Sequence, residues 1–148
     1  MRVWRLARRT HAALDGEGAR YYGGRWNSSG QRLLYTSSHL SLAALEALVH
    51  FDADEVPVDL QAFAIEIPDA LATEQVNVDI LPTGWARQEF ATRAVGDEWL
   101  NAARTPVLVV PSAIVPEETN VLVNPAHPAT HSVVVVARRR FVYDPRLL

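Results

Sequence analysis

The chain has 148 residues, 49% of them apolar, enough to enclose a hydrophobic core without a metal or cross-link. Asp and Glu number 17 against 14 Lys and Arg, and a formal charge of −3 argues against a general polyanion binder, so no direct nucleic-acid contact is expected. No cysteine is present, which excludes disulfides, thiolate metal sites and cysteine nucleophiles.

Residues 1–9 are charged, but the following stretch to Arg20 is polar and contains glycine where an export signal would be apolar. The apolar runs at 40–49 and 133–137 are too short to span a bilayer. A cytoplasmic protein with no membrane partner is expected. Val3, Arg5 and Ala7 alternate with Trp4 and Leu6, which predicts a first strand that points Arg5 away from Trp4. Residues 15–27, with four glycines and three aromatic side chains, predict a long structured loop, a type that inside a compact domain is usually functional. Residues 33–37 predict a strand, and the serines at 37, 38 and 41 offer caps for a helix running from 40 to about 51. That helix is apolar nearly all round, which predicts burial on several faces. Glu46 and His50 are its ionisable side chains, four apart on one face, and Leu42, Leu45 and Val49 surround Glu46 at helical spacing.

Further strands are expected at 60–67, 107–110 and 132–140, a helix at 88–102 despite Gly96, and turns at Asn124-Pro125 and His127-Pro128. Alternation of faces keeps Arg138, Arg139 and Arg140 from sharing one surface, so they read as a solubilising flank. Short strands at both ends with two interrupting helices lack the regular alternation of a doubly wound sheet. They predict an α+β fold, a single domain over 1–148 with mainly antiparallel sheets and flanking helices.

Four features carry candidate chemistry. In Gly23-Gly24-Arg25-Trp26-Asn27, adjacent glycines allow close approach of main chain to a ligand, and the guanidinium offers a planar fork of donors suited to phosphate. An ordered turn with an aromatic anchor would carry the same residues. Glu46 inside an apolar stripe requires a compensating partner or a function, because burying a lone carboxylate costs several kcal/mol. Arg5, Arg25 and His50 are its possible ion-pair partners. Tyr35 lies just before this helix, and Ser112 follows a strand and a proline. Ser112 has no nucleophile elbow around it, which rejects an esterase. Pro128 between His127 and His131 prevents the regular helix a metal pair would need, so no metal site is expected.

Trp4-Arg5, residues 15–20, Gly23-Gly24-Arg25-Trp26-Asn27, Tyr35-Thr36-Ser37, residues 45–50, residues 111–116, Asn124-Pro125-Ala126-His127-Pro128 and residues 141–147 together strongly resemble the RES-domain family over almost the whole chain. The resemblance implies an ADP-ribosyltransferase-like fold and places the family's arginine, glutamate and serine at Arg25, Glu46 and Ser112, with a further arginine at Arg5 and the active-site tyrosine at Tyr35. It implies a toxin of a bacterial toxin-antitoxin pair that consumes NAD⁺ as a substrate, with no recycled cofactor, and an Xre-like antitoxin as partner. The acceptor of the ADP-ribosyl group, whether a protein target, water or phosphate, stays open at this point. On that reading Arg5 and Arg25 grip the diphosphate, Glu46 stabilises the developing positive charge on the ribose, and Tyr35 stacks on nicotinamide. Ser112 aims Glu46, and Gly24, Trp26 and Asn27 line the dinucleotide cleft. The rival reading is a noncatalytic nucleotide- or peptide-binding module in which the same charges form a structural ion-pair network. No Gly-x-Gly-x-x-Gly follows a strand, which disfavours a dehydrogenase.

Overall fold

The computed structural model describes residues Met1–Leu148. Its regular elements are β1 (Arg2–Arg8), α1 (Glu17–Tyr22), β2 (Leu34–Ser37), α2 (Leu40–Leu48), β3 (Leu60–Glu66), β4 (Thr73–Gln75), α3 (Glu89–Ala102), β5 (Val107–Pro111), β6 (Thr119–Val123) and β7 (Val134–Arg140). The strands form one seven-stranded sheet in the order β4-β5-β6-β2-β1-β3-β7. Every neighbouring pair is antiparallel except β4 and β5, which run parallel. The α+β expectation holds, with one mixed sheet in place of several antiparallel ones. No helix is long and apolar enough to cross a membrane.

Directly paired residues of neighbouring strands project to the same side of a sheet, so the register sorts the side chains. On one face lie Trp4, Ser37, Asn120 and Val110, paired in succession across β1, β2, β6 and β5, and beside them Tyr35, Leu122 and Leu108. The core on this face joins Trp26, Leu33, Trp85, Trp99, Leu108 and Leu122, with α3 supplying Trp99 and Leu100. The opposite face carries Arg5 opposite Phe63, and Val3 opposite Ile65. A second core there gathers Val3, Leu34, Phe63, Ile65, Val107 and Val121.

Three expectations change. The 15–27 stretch is interrupted by α1, which begins after Gly16 at φ +69° and ends at Gly23 at φ +70°, a left-handed region open to glycine at little cost. β6 occupies residues read only for the turns that follow, because Val121, Leu122 and Val123 are buried in the middle of the sheet before the chain turns at Asn124. The helix expected to reach about 51 stops at Leu48 and buries only Leu42 and Ala43, leaving Leu45 and Val49 38% and 62% exposed. Its apolar composition therefore exceeds what the fold covers. α2 rests on β1 and β2, and the Tyr143 hydroxyl donates to the Ala44 carbonyl at 2.5 Å, fastening it from the C-terminal side. Burial pushes the Tyr143 phenol up to about 12, so it is a donor throughout the neutral range.

α3 passes against residues 24–28 so closely that a Cβ on Gly96 would lie 1.7 Å from the Trp26 carbonyl oxygen. Replacing an interior glycine of a helix with alanine ordinarily gains up to about 1 kcal/mol. Here Gly96→Ala is expected instead to destabilise by about 3 kcal/mol or more, since one of two backbones must move. Denaturant midpoints of the two proteins measure this, and an unchanged midpoint would contradict the close approach.

Candidate active site

The Gly23 to Ser28 segment is held in place from two directions. From β2, the Tyr35 hydroxyl donates to Asn27 Oδ1 at 2.6 Å and accepts from the Trp26 N–H at 2.9 Å. Burial pushes the Tyr35 phenol well above its usual value, against a smaller opposing effect of the Trp26 N–H, so the hydroxyl stays protonated and can serve both bonds. Asn27 Nδ2 in turn donates to the carbonyls of Ala19, Ser28 and Gln31. From α3, Thr92 donates to the Arg25 carbonyl at 2.7 Å, Arg93 Nε donates to the Gly24 carbonyl at 3.3 Å, and Asp97 accepts from both the backbone and the hydroxyl of Ser28.

Trp26 and Asn27 are fully enclosed, so both act as scaffold and neither lines an open cleft as the sequence suggested. Gly24 likewise answers to the protein. A Cβ there would sit 2.6 Å from the Tyr35 hydroxyl oxygen, so the glycine makes room for the tyrosine. Of this motif only the Arg25 side chain is offered outward, at 26% exposure. Its NH2 lies 3.9 Å from Glu89 Oε1, while NH1 is enclosed and has no hydrogen-bond partner. A buried guanidinium donor without an acceptor is costly, and a ligand oxygen would relieve it.

Glu46 projects from α2 over the same face of the sheet. Its Oε1 accepts from Ser112 Oγ at 2.8 Å and from Asn120 Nδ2 at 2.6 Å. Asn120 Oδ1 accepts from Ser37 at 2.7 Å, and Ser112 Oγ itself accepts from the N–H groups of Ile114 and Val115, which leaves its proton for Glu46. These partners are neutral. None of the ion pairs in the structure includes Glu46, so the expected alternatives of Arg5, Arg25 or His50 do not neutralise it. Oε2 receives no hydrogen bond from the protein, and the residue is half-buried rather than enclosed. A carboxylate with one oxygen fixed by neutral donors and the other free keeps its charge available to something else.

Tyr35, which holds the loop carrying Arg25, and Ser37, which bonds the Asn120 that holds Glu46, are two residues apart on β2 and project to the same face of the sheet. Arg5 does not join them. It stands on the opposite face opposite Phe63, and its NH1 donates to the carbonyls of His11 at 3.1 Å and Ala13 at 3.3 Å. Burial lowers the Arg5 guanidinium from its usual value, with Asp15 opposing. A pocket of about 410 Å³ also opens on that face, lined by Leu14, Leu34, Pro125, His127, His131 and Val133 among others, and no predicted site residue borders it.

Of the site residues expected from sequence, the structure joins Glu46 to Ser112, sets Tyr35 on the same face with the Arg25 loop bonded to it, and puts Arg5 on the other face; Asn120, Glu89 and Arg93 were missed. Asn120 could have been noticed as a polar residue opening the apolar run Val121-Leu122-Val123. For α3 only the spacing of Glu89 and Arg93 was visible, since their contacts to residues 24 and 25 cross more than sixty positions.

The RES domain family model matches residues 2–144. The chain is 39% identical to a protein of Sphingobium sp. (strain YBL2) named Prs ADP-ribosylating toxin, over 98% of this chain and 95% of that one. It is 38% identical to a protein named Toxin Res from Photorhabdus laumondii subsp. laumondii, over 100% of this chain and 97% of its relative. Among solved structures, a chain of the M. tuberculosis MbcT-MbcA toxin-antitoxin complex superposes with a TM-score of 0.77 at 19% identity, covering 99% of this chain and 85% of that one, a likeness of fold. With the family model spanning nearly every residue and relatives alike from end to end, this chain belongs to the RES-domain family.

Proposed function

We propose that this protein is the toxin of a bacterial toxin-antitoxin pair and that it consumes NAD⁺ by breaking the nicotinamide-ribose bond, passing ADP-ribose to a protein side chain. The observation that carries the reading is the Glu46 carboxylate, fixed through one oxygen by Ser112 and Asn120, paired with no cation and free at its other oxygen. The name of the Sphingobium relative favours a protein as acceptor over water or phosphate. The complex of the structural neighbour favours an antitoxin, of Xre type by the family resemblance, as the partner that keeps the activity in check.

In this reaction the bond between ribose and nicotinamide breaks with both electrons leaving on nicotinamide, which departs neutral. Positive charge gathers on the ribose, as in glycoside cleavage. Glu46 Oε2, directed at the ribose hydroxyls, stabilises that charge more in the transition state than in the ground state. The acceptor then bonds to the sugar carbon and gives up a proton. Arg25, with an unpartnered donor, holds a diphosphate oxygen by a charge-assisted hydrogen bond. The Tyr35 hydroxyl is spent on Trp26 and Asn27, so its contribution is to shape the Arg25 loop. Ser112 and Asn120 act through Glu46 and are positioning residues.

Glu46→Gln is expected to lower the kcat of nicotinamide release from NAD⁺ by about 100-fold or more, with little change in denaturation midpoint. Release measured on purified protein tests this, and equal rates for the two proteins would remove the basis of the proposal. Asn120→Ala should reduce kcat by roughly tenfold while KM for NAD⁺ stays near the wild-type value, because aim is lost and binding is not. Mass analysis of treated lysate is expected to find proteins carrying ADP-ribose. Free ADP-ribose as the sole product would make water the acceptor instead.

A further inference from the structure

Arg25 is not the only cation at its end of the site. Glu89 and Arg93 stand four apart on α3, hence side by side on one helix face. The Glu89 carboxylate lies between two guanidiniums, with Oε2 3.2 Å from Arg93 NH2 and Oε1 3.9 Å from Arg25 NH2. Arg93 Nε reaches the Gly24 carbonyl, next in sequence to Arg25. Both guanidiniums are close enough to Tyr35 to act electrostatically on its hydroxyl, and both remain open to solvent, at 26% and 38% exposure.

Two cations share the Glu89 carboxylate, while Asp97, the other acid near Tyr35, is engaged by the Ser28 N–H and hydroxyl, and Arg25 NH1 has no acceptor at all. A guanidinium carries five N–H donors, and the bonds to Gly24 and Glu89 occupy only part of the Arg93 set. A diphosphate presents two negative charges and several acceptors, which one partly buried arginine cannot match alone. Arg5, the other arginine expected from sequence to share this task, is bonded to carbonyls on the far side of the sheet.

We propose that Arg93 is a second diphosphate-binding residue of this site, acting beside Arg25, and that Glu89 is a positioning residue that orients the pair. The proposal rests on the NAD⁺ reading and names which side chains take the substrate's phosphates. Arg93 donates from its free guanidinium edge to one phosphate while the partly exposed Arg25 guanidinium takes the other, and Glu89 keeps the two forks from drifting apart by mutual repulsion.

Calorimetry with ADP-ribose, which carries both phosphates, and adenosine, which carries none, provides the test. Arg93→Gln should raise the Kd for ADP-ribose by about tenfold or more, leave that for adenosine within about twofold, and flatten the dependence of ADP-ribose binding on salt. Arg93→Lys should recover part of the loss, as the charge returns without the fork. In the wild-type protein, inorganic pyrophosphate should shift the Arg93 Nε resonance, a measurement that needs no variant to fold. Unchanged ADP-ribose binding in Arg93→Gln, an equal loss for adenosine, or an Arg93 resonance indifferent to pyrophosphate would each overturn the assignment. Wild-type protein that binds ADP-ribose through Arg93 but releases no nicotinamide would defeat the catalytic reading and leave this one standing. Active wild-type protein with Arg93→Gln unaffected would do the reverse.

Discussion

One carboxylate oxygen organises this molecule. Glu46 Oε1 takes hydrogen bonds from two side chains that come from distant parts of the chain, Ser112 just past β5 and Asn120 on β6. Asn120 passes the connection to Ser37 on β2. Through these bonds α2 is fixed to the middle of the sheet although only Leu42 and Ala43 of its side chains are buried. Had an arginine filled the same place, the helix would be tethered equally well, but the charge would be cancelled. Neutral donors hold the group while leaving its field intact.

The second constraint is the alternation of a strand. Trp4 and Arg5 are neighbours in sequence and face opposite sides of the sheet, so a residue conspicuous beside a motif can be remote from its chemistry. Arg5 secures the chain after β1 by binding two carbonyls, a role in the other half of the fold. The guanidinium that does approach Arg25 comes from α3, the helix whose Gly96 lets it lie directly against the Trp26 backbone. Close packing and site construction are here the same event.

Much of this was legible in the residues. Period and punctuation gave β1, β2, β3, α3 and β5 nearly to their ends, because each combines a buried stripe with a clear stop. The α2 helix was drawn too long and too deeply buried, since an apolar composition cannot say how much of a helix its neighbours cover. β4 and β6 escaped notice because Thr73-Glu74-Gln75 has no apolar side chain and Val121-Leu122-Val123 is a three-residue apolar run directly before the turn at Asn124-Pro125. Within the site, residue types pointed to Arg25, Tyr35, Glu46 and Ser112, but not to which would face a ligand. Trp26 and Asn27 look like recognition residues and are walled in, while Glu89 and Arg93 look like an ordinary surface pair and sit beside Arg25. Only the tertiary arrangement distinguishes them.

The order in which the parts of the site are made has a consequence of its own. Glu46 precedes both of its donors by more than sixty positions, and the hydroxyl that fastens its helix belongs to Tyr143. While a ribosome is still adding residues beyond 110, the acid has been synthesised but nothing exists to steer it. The acid thus acquires its fixed geometry only after the strand that carries Asn120 has been made and has paired with β2.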